Sequence, residues 1–381
     1  MQTKWYGKDF RLGIVGGGQL GRMLIQEAIN YDVYVYSLDP SSEASCAHCA
    51  NGFTVGSLND FDAVYNFGKN MDVITVEIEN VSIEALEKLE QEGKKVFPQP
   101  HILRLIKDKG LQKQFYVDNN LPTAPFYLVE NKSEIEQYRS EFPFMMKLRT
   151  GGYDGKGVTP LRNDSDIDLA FETPSVLEKM VDFKKELSVI VARNERGEVK
   201  TFPTVECEFN PKANLVEFLF APANISEEIE TKAQALAKEV IEKLGMVGLL
   251  AVELFLTHDD QILINEIAPR PHNSGHHTIE CNVTSQFEQH LRSILNLPLG
   301  STKITRAGVM INLLGAEGFE GNAIYRNLKE IMSWEGVYTH IYGKTTTKPY
   351  RKMGHITIAG EDIEEVKKLG LKVKETISVE S

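Results

Sequence analysis

Two glutamates carry the first chemical hint. Glu253 lies inside the apolar run Leu249-Leu-Ala-Val-Glu-Leu-Phe-Leu256, and Glu266 inside Ile262-Leu-Ile-Asn-Glu-Ile267. The polar stretch Thr257-His-Asp-Asp-Gln261 separates them, which reads as an antiparallel hairpin. A turn centred between Asp259 and Asp260 brings Glu253 directly opposite Glu266. Like charges so placed repel, and a carboxylate in an apolar strand is costly. A divalent cation removes both objections, and Mg²⁺ commonly binds through one or two carboxylates plus substrate phosphates. A bulged or shifted turn that parts the two side chains is the competing reading.

The chain after Glu266 is equally dense in function-bearing groups. Asn265-Glu-Ile-Ala-Pro-Arg-Pro-His-Asn-Ser-Gly-His276 offers Glu266, Arg270, His272 and Asn273, and Pro269 and Pro271 hold it extended. A place for phosphates lies upstream in Lys147-Leu-Arg-Thr-Gly-Gly-Tyr-Asp-Gly-Lys-Gly157. Its glycines expose backbone N–H groups, and Lys147 adds a point charge. No helix and no Gly-Lys-Ser/Thr ending follow, so it is not a Walker motif. A plain glycine-rich hairpin explains the glycines but not a lysine in an apolar strand. Lys344 with Arg351-Lys352 makes a local basic cluster suited to a phosphate or simply to solvent. Cys46-Ala-His-Cys49 lacks the second pair that a four-ligand zinc site needs, so the cysteines read as incidental.

The elements that must position these groups fall into three regions: 1–101, 102–301 and 302–381. The first opens as strand, turn, helix, strand, with Gly16-x-Gly18-x-x-Gly21 in the turn and Asp39 closing the second strand. That spacing satisfies the dinucleotide fingerprint. A third strand at 71–76 runs into Glu77-Ile-Glu79-Asn80, and Ser82 opens an amphipathic helix. A doubly wound parallel sheet is expected. Residues 102–120 read as one mostly helical stretch. Strands at 144–148, 176–181 and 186–192 then pair through turns, so the middle region is α+β. The clearest helix is 226–244, with Ser226 as N-cap and Gly245 as terminator. The last region is β-rich, either a small domain or an extension of the second.

Composition excludes several classes. With 42 basic and 54 acidic residues the formal charge is −12, and no basic helix or tail appears, which argues against nucleic acid and membrane surfaces. No apolar run approaches the roughly 20 residues of a membrane span. Met1-Gln-Thr-Lys has no signal-peptide character, and a cytoplasmic protein is expected.

Taken together, Lys147, the Gly-Gly-Tyr-Asp-Gly-Lys-Gly157 loop, Glu178-Lys-Met-Val181, Glu253 and Asn265-Glu266 resemble the ATP-grasp fold. With Gly16-Gly-Gly-Gln-Leu-Gly-Arg22, Glu77-Ile-Glu-Asn-Val81, Ala268-Pro-Arg-Pro-His-Asn-Ser-Gly275 and Arg351-Lys-Met-Gly-His355, the chain resembles the 5-(carboxyamino)imidazole ribonucleotide synthase family over about residues 10–360. The resemblance implies ATP-dependent carboxylation of 5-aminoimidazole ribonucleotide by bicarbonate, through carboxyphosphate, in purine biosynthesis. Arg104 and Lys147 would contact ATP phosphates, with Gly152, Tyr153, Asp154, Gly155, Lys156, Gly157 and Val158 closing over them. Glu178, Lys179, Met180 and Val181 would meet adenine along the backbone, and Glu186 the ribose hydroxyls. Glu253 and Glu266 would hold Mg²⁺ beside Asn265. Gln19, Glu77, Tyr153 and Asp154 would line the aminoimidazole pocket, and Lys344 and Arg351 would take the ribose phosphate. Arg270 would stabilise transferring charge, while His272 and Asn273 orient bicarbonate or handle the amine proton. A homodimer and a link to a downstream mutase are also implied. One departure stands out: Phe209 occupies the place where the family often has a histidine. A formate-dependent glycinamide ribonucleotide transformylase or biotin carboxylase type of ligase shares the ATP half. A nicotinamide-dependent oxidoreductase would rest on Gly16 to Gly21 alone.

Overall fold

The computed structural model describes residues 4–152, 157–210 and 215–381, so Tyr153, Asp154, Gly155 and Lys156 lie outside the described residues. The chain begins with β1 (Arg11–Val15), α1 (Gln19–Asn30), β2 (Tyr34–Asp39), β3 (Gly52–Val55), α2 (Phe61–Gly68), β4 (Val73–Val76), α3 (Ile83–Gln91) and β5 (Lys95–Phe97). The strands pair in parallel in the order β3-β2-β1-β4-β5. A parallel sheet is covered on both faces, hence the fully buried Leu12, Ile14, Val15 and Ile74 in its central strands. The strand order reverses between β1 and β4, where α/β sheets bind ligands. The Gly16 to Gly21 turn and Glu77 meet at that point.

The stretch expected as one helix over 102–120 is two: α4 (Pro100–Lys107) and α5 (Lys109–Asp118). Asp108 is extended between them, and its carboxylate accepts from Gly110 N at 2.8 Å and Leu111 N at 3.2 Å. The same carboxylate receives Arg149 through Nε at 3.0 Å and Nη2 at 2.7 Å. Asp108 therefore caps α5 and clamps the start of the glycine-rich loop in one place.

A four-stranded antiparallel sheet follows in the order β6-β9-β7-β8, from β6 (Phe126–Val129), β7 (Phe144–Leu148), β8 (Val158–Leu161) and β9 (Ser175–Lys179). The largest sheet holds β10 (Phe183–Arg193), β11 (Val199–Thr201), β12 (Val205–Asn210), β13 (Leu215–Ala221), β14 (Gly248–Thr257) and β15 (Ile262–Ala268). Helix α6 (Glu227–Leu244) packs Ile229, Ala233, Leu236 and Val240 onto Leu187, Val189, Leu250 and Val252 of β10 and β14. Its ends are as the sequence suggests: Ser226 accepts from Ile229 N, and Gly245 turns left-handed at φ 61°. After α7 (Thr278–Cys281) and α8 (Gln286–Ile294), the last region adds β16 (Ala307–Leu314), β17 (Gly321–Asn322), β18 (Ile324–Arg326), α9 (Leu328–Ile331), β19 (Val337–Ile341), β20 (Thr346–Thr347), β21 (Lys352–Gly360), α10 (Ile363–Thr376) and β22 (Ser378–Glu380). Strand β16 pairs with β13, and β21 with β16, so hydrogen bonding crosses the 301/302 boundary without a break.

The β14–β15 hairpin reaches the expected pairing by an unexpected route. Next to the turn, Leu256 faces Ile262 and Leu254 faces Ile264, a register one residue away from a turn centred between Asp259 and Asp260. A bulge then leaves Asn265 as the extra residue, and beyond it Glu253 faces Glu266. Asp260 sits at φ 63°, the left-handed residue that closes a three-residue hairpin loop. Bulges re-aim side chains, and this one turns Asn265 toward Lys147.

Candidate active site

The two opposed carboxylates are set in a basic surround that the sequence shows only in part. Lys109 at the start of α5 donates to Glu266 Oε2. One helical turn on, Lys113 donates to Glu178 Oε1 and to Thr123 Oγ1 at 2.6 Å. Lys147 reaches Glu178 Oε2 at 2.6 Å and donates to Asn265 Oδ1 at 2.9 Å. Lys109, Lys113, Lys147, Asn265 and Glu266 line one pocket. Lys109 and Lys113 carry no role in the sequence reading, although two lysines four residues apart on a helix share a face and gave the available signal. A roomier surface hollow lined by Arg11, Asp60 and Asn66 contains none of these groups.

The carboxylates differ sharply in electrostatics. The charge of Lys109 holds the Glu266 carboxyl well below its ordinary range. Burial, then the charges of Glu266 and Glu186, push Glu253 well above it. Glu186, across from Phe255 and next to this pair, is itself pushed up to about 7 by burial. Such a cluster favours an added cation. Among the described residues no group of three or more His, Cys, Asp or Glu is arranged to hold a metal by itself. Two opposed oxygen ligands still suit Mg²⁺ shared with substrate phosphates.

Beyond the bulge the strip continues as expected in composition and with added contacts. Arg270 Nε lies 2.9 Å from Glu79 Oε1. His272 Nε2 is 3.5 Å from Glu253 Oε1, while its Nδ1 accepts from Ser274 N at 3.3 Å. Ser274 Oγ is 2.9 Å from Nδ1 and 2.7 Å from Ser188 Oγ, so the ring is braced on the side away from Glu253. Asn273 opens a short 3₁₀ turn, and its carbonyl accepts from His276 N.

At the switch point of the first sheet, Glu77 occupies the place where a dinucleotide phosphate would sit. Its carboxylate accepts from Gly18 N and, at 2.6 Å, from Gly21 N. A Cβ at Gly16 or Gly18 would collide with the Glu77 side chain. Burial pushes the Glu77 carboxyl up, against the pull of these two amides. Asp39, the other fingerprint acid, accepts from Gly17 N at 2.9 Å and Ser41 N at 2.9 Å. Gln19 begins α1 beside this loop.

Other expected residues are placed less directly. Arg104 is on α4 with its side chain half exposed, pairing with Glu87 at 2.9 Å and Glu84 at 3.4 Å, not with the lysine cluster. Helix phase explains this: Ile102, Leu103 and Ile106 take the buried face and leave Arg104 outward. Lys179 turns to Glu141 and lies 4.4 Å over the Phe144 ring, and Met180 is exposed. The Lys179 and Met180 amides donate to Pro125 O and Pro143 O. Val181 follows β9. Gly157 O accepts from Leu148 N, Val158 pairs with Lys147 across β7–β8, and Gly152 precedes the residues that are not described. Lys344 donates to Lys352 O at 2.7 Å, and Arg351 to Thr346 O at 2.7 Å, at one end of the last region. Phe209 faces Val216 in the β12–β13 pair.

Three family descriptions match in tandem: a ribonucleotide synthetase preATP-grasp domain over residues 10–107, an ATP-grasp domain over 114–287, and a phosphoribosylaminoimidazole carboxylase C-terminal domain over 308–369. The N5-carboxyaminoimidazole ribonucleotide synthase of Bacillus subtilis is 38% identical over 362 residues, 93% of this chain and 92% of that protein. The phosphoribosylaminoimidazole carboxylase of Ogataea methanolica is 38% identical over 92% of this chain, which spans 67% of that longer protein. The crystal structure of N5-carboxyaminoimidazole ribonucleotide synthetase from Thermotoga maritima superimposes with a TM-score of 0.90 at 41% identity, covering 98% of this chain and 99% of that one. The Aspergillus clavatus N5-carboxyaminoimidazole synthase, solved with ADP and 5-aminoimidazole ribonucleotide, gives 0.89 at 33% identity, covering 98% and 99%. Matches of this length and order leave one assignment: the chain belongs to the N5-carboxyaminoimidazole ribonucleotide synthase family.

Proposed function

We propose that the chain carboxylates 5-aminoimidazole ribonucleotide, using ATP and bicarbonate and releasing ADP and phosphate. The observation that carries this reading is the meeting of Glu253 and Glu266 with Lys109, Lys113 and Lys147 beside the Arg270–His272 strip. Bicarbonate oxygen attacks the γ-phosphorus, the bond to the β-phosphate oxygen breaks, and ADP leaves. The carboxyphosphate, or CO₂ released from it, is captured by the exocyclic amine as phosphate departs. Negative charge is spread over the transferring phosphoryl oxygens, and fixed cations there lower the barrier most.

Lys147 and Lys109 reach the phosphates in this reading, the latter in the role first assigned to Arg104. Glu253 and Glu266 would hold Mg²⁺, which when bound supplies further neutralising charge to the phosphates. His272 serves better as an orienting group than as a base, because Nδ1 accepts from Ser274 N and Nε2 faces Glu253. Asn273 remains with bicarbonate. Arg270, steered by Glu79, faces the carboxylate being formed. Gln19, Glu77, Tyr153 and Asp154 line the aminoimidazole pocket, and Lys344 and Arg351 hold the ribose phosphate. The protein acts as a cytoplasmic homodimer, and a mutase consumes its product. The oxidoreductase alternative loses its footing, since Glu77 already uses the glycine-loop amides.

Phosphate release with ATP and bicarbonate tests the reading. It should require 5-aminoimidazole ribonucleotide and be absent with glycinamide ribonucleotide plus formate or with biotin. Release with either of those, or tight NAD binding without ATP turnover, overturns it.

A further inference from the structure

Among the described residues, the most enclosed ion pair of the site includes Lys113, to which the proposed reaction assigns no role. Lys113 and Glu178 have side chains only 4% and 2% exposed. Glu178 is shared: one oxygen accepts from Lys113, and the other lies 2.6 Å from Lys147. Burial alone would raise the Glu178 carboxyl, but the charges of Lys147 and Lys113 hold it below its ordinary range. Thr123, the second partner of Lys113, donates to Ile264 O at 2.8 Å, next to the Asn265 that Lys147 also contacts. The arrangement thus has one buried anion and two cations, of which Lys147 also contacts Asn265.

Charge balance decides what each lysine can do. A carboxylate this enclosed cannot be left without a cation, because breaking a buried pair on one side is strongly destabilising. If Lys147 were the sole partner of Glu178, incoming phosphates would have to compete with that carboxylate for it. We propose that Lys113 is a positioning residue for ATP: it stays with Glu178, so that Lys147 can transfer its charge to the phosphates. The proposal rests on the lysine cluster being the ATP site. It assigns Lys113 an effect on ATP alone, since its polar contacts run to Glu178 and Thr123 beside Lys147 and Asn265.

Calorimetric binding of ADP with Mg²⁺, and KM for both substrates, test this on wild type, Lys113→Met, Glu178→Gln and the double variant. Lys113→Met should weaken nucleotide binding at least about tenfold, while KM for 5-aminoimidazole ribonucleotide stays within about twofold. The double variant, which has no buried carboxylate to hold Lys147, should recover most of the lost affinity. A merely structural role for Lys113 predicts instead that KM rises for both substrates together. Should Lys113→Met fail to fold, Glu178→Gln, which leaves the backbone that would meet adenine in place, decides alone: nucleotide affinity kept or improved supports the proposal, and a tenfold loss overturns it. Wild-type-like binding by Lys113→Met, or a double variant no better than Lys113→Met, also overturns it. A wild type that binds no nucleotide would sink the ATP-site reading and this proposal with it; nucleotide binding indifferent to Lys113 sinks the proposal alone.

Discussion

Two regions of the molecule present groups fit for an anion, and they treat it in opposite ways. At the start of α1, backbone amides of Gly18 and Gly21 point at a carboxylate that the protein supplies itself, Glu77. Between α5, β7 and β15, three lysines meet Glu178 and Glu266, and the bulged hairpin sets a second carboxylate, Glu253, opposite Glu266. The first region is closed on itself. The second has an unsettled charge pattern that a metal and a nucleotide together would settle. A glycine motif therefore marks where an anion can sit, while the surrounding side chains decide whose anion it is.

The contrast can be broken most forcefully at Glu266. Glu266→Gln removes the partner of Lys109 and half of the opposed pair, so ADP formation should fall on the order of 10² to 10³-fold. Steady-state turnover at saturating substrates checks this, and near-normal rates would remove the pair from catalysis. Lys147→Ala should act next most strongly, raising KM for ATP at least about tenfold, the loss of one charge-assisted phosphate contact. An ATP titration shows whether KM for 5-aminoimidazole ribonucleotide stays put, as expected.

Glu77→Ala sharpens the comparison from the other side. Two amides lose their acceptor, which should cost about 1–3 kcal/mol of stability in urea unfolding. Added sulfate should restore part of that loss in the variant and not in wild type. A variant as stable as wild type would mean that Glu77 does not close the loop.

The seam between the two regions adds an effect that is read against pH. His290 on α8 lies with Nε2 3.0 Å from Thr75 Oγ1 of β4, and burial lowers it to about 3. His277 is lowered to about 4, again chiefly by burial. The unfolded chain protonates these rings near pH 6.5 while the folded state keeps them neutral. Their contribution is intact above that pH and is eroded as the pH falls toward the folded values, by about 1.4 kcal/mol per unit for each ring. Urea midpoints between pH 7 and 5 should decline accordingly, and less steeply in His290→Gln.

Much of this was legible in the sequence because it depends on local rules. The helical spacing of Ile229, Ala233, Leu236 and Val240, the Ser226 cap and the Gly245 stop fix α6, and the glycine-rich turn between β1 and α1 announces the first sheet. The facing of Glu253 and Glu266 was reached from a turn one residue out of place, and the bulge at Asn265 made good the difference. Bulges leave little trace in residue pattern, so that agreement owes something to compensation. What stayed hidden is mostly tertiary. Asp108 as the cap of α5 is a local signal that a mostly helical stretch masks, and its second partner, Arg149, lies forty-one residues away. Once α5 restarts at Lys109, that lysine and Lys113 face the site, while Arg104 is left on the outer side of α4. Glu77 could be seen near the glycines, but not that its side chain fills their loop.

The central claim is that nucleotide binds in the lysine and glutamate cluster and not at the glycine-rich turn of α1. Calorimetry of ADP with Mg²⁺ against wild type, Lys147→Ala and Glu77→Ala tests it in one series. The account predicts a single nucleotide site, weakened at least about tenfold by Lys147→Ala and little changed by Glu77→Ala. Binding that survives Lys147→Ala intact and collapses in Glu77→Ala would contradict it.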